Sequence, residues 1–428
     1  MASVSRSLDT RISAQTHTPK SSARRLLLIG VSLFVSTFVS DGKLAHIPLQ
    51  FLLKDHLHVG PEAMAKFFAV VGLGWYFKPV AGLLCDGVPL WGSRRRNYLM
   101  LGGLGAGLLW AALGVVPHHY NALLWTLVGA NAFAVLASSA AGGLLVEAGQ
   151  AQGLTGRLGA LREMIISGSS LLAQPVGGFL AAREFGLTCG ISAALFLGLI
   201  PAVFFFLPEA KAAPLEGRSD MLRGRFGPVF RSRALWLAAL FIFLERLSPG
   251  LYTPLFYYQT NTLHFTPKFI GGLGALSSGA AILGALVYGW LCARLPLSRL
   301  LPLGMALSAL GTLLFLGYHS HTSALVIQGV SGLIGILASV ALMDLGARAT
   351  PVGGEAMGYS LLMSAFNLGM AASDILGSKL YGQYHVSLPG LIWISAATTA
   401  LTLPAIYLLP PSVLARRDKA QRSPPGPQ

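Results

Sequence analysis

A chain of 428 residues that is 54% hydrophobic and only 11% charged, with a mean hydropathy of +0.63, cannot cover a soluble surface, since soluble domains carry about 25% charged residues. The composition therefore excludes a cytosolic enzyme or a soluble nucleic-acid-binding module, and the formal charge of +15 points to basic residues flanking membrane helices. Cys85, Cys189 and Cys292 fall in or near apolar runs without metal-ligand spacing and read as small buried hydrophobes.

Residues 1–25 are polar and basic with one acid, Asp9, and no short apolar core with a cleavage site follows them. They read as a cytoplasmic tail; an organellar transit peptide is the alternative. A membrane helix needs about 20 apolar residues, and twelve such spans follow: 26–53, 62–85, 98–117, 121–147, 157–182, 187–207, 234–260, 268–293, 298–317, 323–347, 356–382 and 388–409. The expected organisation is a tail (1–25), a six-helix half (26–207), a basic linker (208–233), a second six-helix half (234–409) and a tail (410–428). Of the 31 lysines and arginines, 23 fall in the tails, the linker and the even-numbered loops, 5 in the odd-numbered loops and 3 inside spans. Positive charge marks the cytoplasmic side, so both termini are expected there.

The first span carries Asp41, Lys43 and His46 about halfway across. Lys43 and His46, three apart, share a helix face, whereas Asp41 and Lys43 do not. The second span puts Trp75, Lys78 and Gly82 on one face. No acid lies within a helical turn of Lys78, which either binds a flat anion beside the indole or snorkels to the interface. The span then runs into Asp86, a Gly-Val-Pro turn and the run Arg94, Arg95 and Arg96. This loop reads as a cytoplasmic latch that reaches Glu147 at the end of the fourth span. The fifth span carries a polar stripe of Glu163, Ser167, Ser170, Gln174 and Gly177.

In the second half the seventh span holds Glu245 and Arg246 at mid-depth, and Pro249 and Gly250 are expected to break it. Tyr252 shares a face with Glu245, while Tyr257 and Tyr258 read as interfacial anchors. The eleventh span carries Ser360, Ser364, Asn367, Asp374 and Ser378 at helical spacing. Asp344 closes the tenth span. Charges inside a bilayer are costly and mark function by default. They act here either as ion pairs locking two halves or as groups that handle substrate and protons. Glycine runs at 102–107 and 271–289 suit close helix contact. No phosphate-binding Gly-x-x-x-x-Gly-Lys or His-Glu-x-x-His occurs, so neither ATP hydrolysis, a cofactor nor a metal is expected.

The halves repeat. Pro48, Leu57-His58 and Pro61 recur 206 residues on as Pro254, Leu263-His264 and Pro267. Leu84-Cys85 and Pro89-Leu90 recur at 207 as Leu291-Cys292 and Pro296-Leu297. Parallel six-helix repeats are the pattern of major facilitator transporters. Asp86 with Arg94 to Arg96 resembles that superfamily's loop signature. More specifically, LKDHLHVGPEAM (53–64), KPVAGLLCDGVPLWGSRRRNY (78–98), FYYQTNTLHFTPKFIG (256–271) and ATPVGGEAMGYSLLMSAFNLG (349–369) resemble the folate–biopterin transporter family. The fourth span keeps Glu147 but carries Ser138 and Gly142 where the resemblance implies acids.

The expectation is an all-α membrane protein of twelve helices with the major facilitator fold, and a transporter, not an enzyme. The resemblance implies alternating access for a small polar or anionic organic solute such as a folate or pterin. Proton coupling is expected from the mid-membrane acids and His46, with a bacterial inner membrane as the expected location and an organellar envelope as the alternative. A monomer in the bilayer with no nucleic-acid partner is expected. A muropeptide-permease-like transporter, or a receptor on the same scaffold, is the alternative.

Overall fold

The computed structural model describes the backbone of residues 19–39, 43–93, 95–152, 155–207, 229–292, 294–351 and 355–414. Side chains at 19–25, 86–87, 146–152, 155–163, 355–356 and 412 lie outside that description. Helix occupies every one of the twelve expected stretches. Among the described residues, six helices meet the length and hydropathy for crossing a bilayer unaided: Tyr120–Leu145, Phe185–Phe206, Pro267–Cys292, Leu297–Gly317, His321–Ala349 and Leu388–Leu408. Several of the others are broken, and the breaks organise the molecule.

The first stretch is α1 (Pro19–Val39) and α2 (His46–Phe51), continued by a π-helical turn at Leu52–His56. The second falls into three pieces, α3 (Pro61–Val71), α4 (Leu73–Tyr76) and α5 (Lys78–Gly87). Its break at Gly72 frees the carbonyl of Val71, which accepts 3.0 Å from the buried Asn131 amide. Next come α6 (Arg96–Leu113), α7 (Tyr120–Gln152), α8 (Thr155–Leu180) and α9 (Phe185–Phe206). After the linker, α10 (Arg233–Arg246) and α11 (Tyr252–Asn261) flank the expected break. The chain closes with α12 (Pro267–Cys292), α13 (Leu297–Leu313), α14 (His321–Ala349), α15 (Glu355–Gly382), α16 (Leu388–Leu401) and a last turn, α17 (Pro411–Leu414). Starts follow local chemistry: Ser232 and Ser387 cap the first turns of α10 and α16, and Ser320 forms a capping box with Ser323.

The repeat read in the letters is also a repeat of backbone. Pro61 and Pro267 each open a helix, where a missing N–H costs nothing. His58 and His264 sit in the left-handed region at φ 50 and φ 52, which histidine tolerates better than most residues. Matching bonds close both turns, Val59 N–H to the Leu53 carbonyl and Phe265 N–H to the Gln259 carbonyl, each 2.9 Å. His385, at φ 53, forms a third such turn, with Val386 N–H on the Leu380 carbonyl.

Packing differs between the two ends. At the end bearing the His58 and His264 turns, one buried core joins both halves, with Leu53, Phe67 and Leu123 beside Phe256, Phe265 and Leu273. At the end bearing Arg95 and Arg96 the cores are separate. One holds Ile29, Leu99, Ala141 and Leu144; the other holds Leu235, Leu301, Leu342 and Leu345. The halves thus share one core at one end and keep separate cores at the other.

The joined end is held by backbone contact. A Cβ on Gly271 would stand 2.6 Å from the Gln174 carbonyl and 2.9 Å from the Gly178 Cα, so α8 and α12 meet only because both residues lack a side chain. Tyr257, expected as an interfacial anchor, is 6% exposed, and its hydroxyl donates to the Val59 carbonyl. It lies inside the shared core because the break before α11 turns its ring inward.

Candidate functional site

Three of the expected mid-membrane cations rest on hydroxyls and carbonyls of neighbouring helices. Lys43 Nζ donates to Ser169 Oγ and to the Ile166 carbonyl, both at 3.3 Å, and Ser169 also meets Thr37 Oγ1 at 3.2 Å. Ser169 is wholly buried, one position off the polar stripe expected on α8, and sequence periodicity missed it. His46, 6% exposed, stacks on Phe68 with ring centroids 4.2 Å apart and lies 5.2 Å from the ring of Tyr252. With Phe68, Trp110 and Asn131 it lines a cavity of about 90 Å³. That is smaller than the ~150 Å³ void that takes up benzene, so it suits water rather than an organic solute. Asp41, Arg94 and the side chains of Asp86, Glu147 and Glu163 lie outside the described residues.

Lys78 opens α5 and points back over Trp75, with Nζ 4.6 Å from the ring centroid and 3.2 Å from Ser138 Oγ on α7. Trp75 Nε1 is buried without a hydrogen-bond partner among the described residues. An orphan donor of this kind costs about 1–3 kcal/mol until something accepts from it. In the other half Arg246 ends α10. Its Nη2 donates 2.9 Å to Ser339 Oγ on α14, its Cζ lies 4.5 Å from the Phe366 ring on α15, and its Nε is 3.0 Å from Glu245. Glu245 is 4% exposed. The two side chains are close but not aligned as a hydrogen bond.

These two clusters correspond. The helices α7 and α14 begin at Tyr120 and His321, 201 residues apart, and that offset carries Ser138 onto Ser339. It also carries the buried Ala137, Ala140 and Leu144 onto the buried Ala338, Ala341 and Leu345. Each of these two clusters thus combines a cation, an aromatic ring and a serine hydroxyl, and the two serines stand at equivalent positions. Sequence reading found Lys78, Trp75 and Arg246, noted Ser138 only as a departure, and missed Ser339 and Phe366. A lone serine in a helix rich in small residues gives no periodic signal.

Elsewhere the expected polar residues brace the scaffold. Asp374 accepts from Thr253 N at 2.9 Å and from Thr253 Oγ1 at 2.6 Å, at the first turn of α11. Gly250 N donates to the Ser373 carbonyl at 2.8 Å. Gln174 lies where α8 crosses α12, with Oε1 at 2.8 Å from where Gly274 would carry a Cβ. Asn367 is half-buried on α15, next to Phe366. Tyr252 is 55% exposed. At the basic end the Arg95 guanidinium fills the space a side chain at Gly143 would occupy, with Nη1 1.0 Å from that Cβ position. Arg96 Nη2 donates 2.7 Å to the Phe204 carbonyl and stacks over its ring. The loop between α5 and α6 is thereby tied to α7 and α9.

The BT1 family model matches residues 41–425, nearly the whole membrane region. The chain belongs to the BT1 family. Among curated relatives of this BT1 protein, a folate-biopterin transporter of Synechocystis sp. is 30% identical, over 89% of this chain and 81% of its own. Folate transporter 1 of Plasmodium falciparum is 24% identical over 86% of this chain and 76% of its own. Solved structures share the fold. The nucleoside transporter NupG superposes with a TM-score of 0.70 at 13% identity, over 90% of this chain and 99% of that one. A D-xylose-proton symporter does so at 0.66 and 14%, over 92% and 98%. This BT1 chain is therefore a multi-pass membrane protein with the major facilitator architecture expected from its repeats.

Proposed function

We propose that the chain carries a folate- or pterin-class organic anion across a membrane by alternating access, driven by protons. Relatives named for folate and biopterin support the substrate class. The observation that carries the mechanism is the contrast between ends: a core shared by both halves at one and separate cores at the other. A solute enters where the halves part; the opposite state requires the shared core to open.

The coupling element is Glu245 with Arg246 at the break of the seventh span. When Glu245 is ionised it holds the Arg246 charge; when it takes a proton, Arg246 is released to a substrate carboxylate. The proton and the anion then travel together. Positive-inside asymmetry supports cytoplasmic termini, and so a cleft open to the cytoplasm. We further assign the halves to 26–207 and 234–409 with 208–233 as linker, the loop with Asp86 and Arg94 to Arg96 as gate, and a monomer as the working unit. The test is uptake by proteoliposomes of labelled folate, pterin, muropeptide and sugar, with and without an inward proton gradient. Gradient-driven uptake confined to folate or pterin supports the proposal. Uptake of muropeptide alone supports the permease alternative.

A further inference from the structure

We infer that the two matched clusters are the two poles of one substrate site, in which Arg246 and Ser339 take a carboxylate and Trp75 Nε1 donates to the flat heteroaromatic ring. The inference rests on the transport reading above and gives it a direction of binding. Its first support is register. The second and eleventh spans pack against each other in opposite directions, with Gly382 against Pro61 at the joined end. Lys78 lies seventeen residues in from Pro61 and Phe366 sixteen back from Gly382, so the clusters stand level on facing helices of the two halves.

The second support is chemistry. Arginine presents a planar fork that suits a carboxylate. Along one edge of Arg246, Nε faces Glu245 at 3.0 Å and Nη2 donates to Ser339, while Cζ lies 4.5 Å from the centre of the Phe366 ring. Ser339 and Phe366 fix the guanidinium, so a carboxylate that replaces Glu245 meets a group already oriented. At the other pole the Trp75 donor is buried and has no acceptor among the described residues, and an aromatic nitrogen or carbonyl on the ligand's ring supplies one. Lys78 over the indole adds positive charge above the same plane. The third support is pseudo-symmetry. Ser138 and Ser339 occupy equivalent positions on α7 and α14, so each half contributes one of these serines to a pole, and a ligand touching both reports on the separation of the halves.

The poles are separable by fragments. The full-length protein in detergent is titrated calorimetrically with folate, with pterin (ring only) and with p-aminobenzoylglutamate (carboxylates without the pteridine). Trp75→Phe keeps the ring and removes the donor; it is expected to weaken pterin binding about tenfold and leave p-aminobenzoylglutamate within twofold. Ser339→Ala is expected to do the reverse, weakening p-aminobenzoylglutamate three- to tenfold and sparing pterin. Thermal melts set aside a variant that fails to fold; Ser138→Ala, which changes the ring pole from another helix, then replaces Trp75→Phe. If folate binds but each variant weakens both fragments equally, or neither, the two-pole assignment fails while folate transport stands. If wild-type protein binds none of the three ligands, both fall.

Discussion

Asp374 caps, from another helix, the first turn of α11: both its oxygens accept from Thr253, at 2.9 Å and 2.6 Å. The break between Arg246 and Tyr252 leaves the N–H groups of that turn without intrahelical partners. A carboxylate placed there satisfies donors and complements the positive end of the helix. Asp374→Asn is therefore expected to destabilise the protein by about 1–3 kcal/mol and lower its melting temperature in detergent. Asp374→Ala is expected to cost more. Thr253→Val, which keeps the backbone bond, is expected to cost less than either. An unchanged melt for Asp374→Ala would rule out the cap.

The loop between α5 and α6 gives a second prediction. Because the Arg95 guanidinium already occupies the place of a Gly143 side chain, Gly143→Ala must push it aside. That movement is open to a flexible side chain, so folded yield stays near normal while transport drops. Arg95→Ala is expected to impair transport to a similar degree, and the double variant no further, because both remove one interaction. Fully additive losses in initial uptake rate would show that Gly143 and Arg95 act separately.

Glu245→Gln removes the carboxylate while keeping its size. The expected result is loss of gradient-driven accumulation with substrate exchange retained, read from counterflow in proteoliposomes. If Glu245 and Arg246 only lock the scaffold, the same variant loses melting temperature and exchange together. Accumulation at the wild-type level would remove Glu245 from the coupling.

At the joined end, Gly271→Leu places a side chain against the Gln174 and Gly178 backbone, which cannot yield without separating α8 from α12. The variant is expected to favour the state open at that end. A cysteine replacing the buried Phe256, 3% exposed, in a background without Cys85, Cys189 and Cys292, reports this. Its labelling by a membrane-impermeant thiol reagent is expected to rise several-fold. Unchanged labelling in a normally folded variant would contradict the clasp.

Much of the scaffold was legible in the sequence, since hydropathy located the spans and Pro249-Gly250 announced the break before Tyr252. The breaks at Gly72 and Phe77 were not legible. GLGWYFKP holds no proline before Pro79, and the group that receives the freed Val71 carbonyl, Asn131, stands on another helix 60 residues away. The repeat of Leu57-His58 at Leu263-His264 was visible as letters. Its cause, a histidine at positive φ, was not, and the third copy at Tyr384-His385 shares too few letters to be matched. Cations in apolar runs identified Lys43, Lys78 and Arg246, because charge is conspicuous there. Their partners Ser169, Ser138, Ser339 and Phe366 lie on other helices and are ordinary residues in them. Asp374 shows the same limit: its spacing on the eleventh span was clear, whereas its contact with Thr253 depends on a helix more than a hundred residues away.

The central claim is carriage of a folate-class anion together with protons. Its most direct measurement is initial uptake of labelled folate into proteoliposomes holding the wild-type chain, compared at equal pH and with the outside more acidic. The expected result is accumulation above equilibrium only with the acid outside, abolished by a protonophore and competed by unlabelled pterin and p-aminobenzoylglutamate. Folate uptake that stops at equilibrium under both conditions, or no folate uptake where muropeptide or sugar is carried, would contradict it.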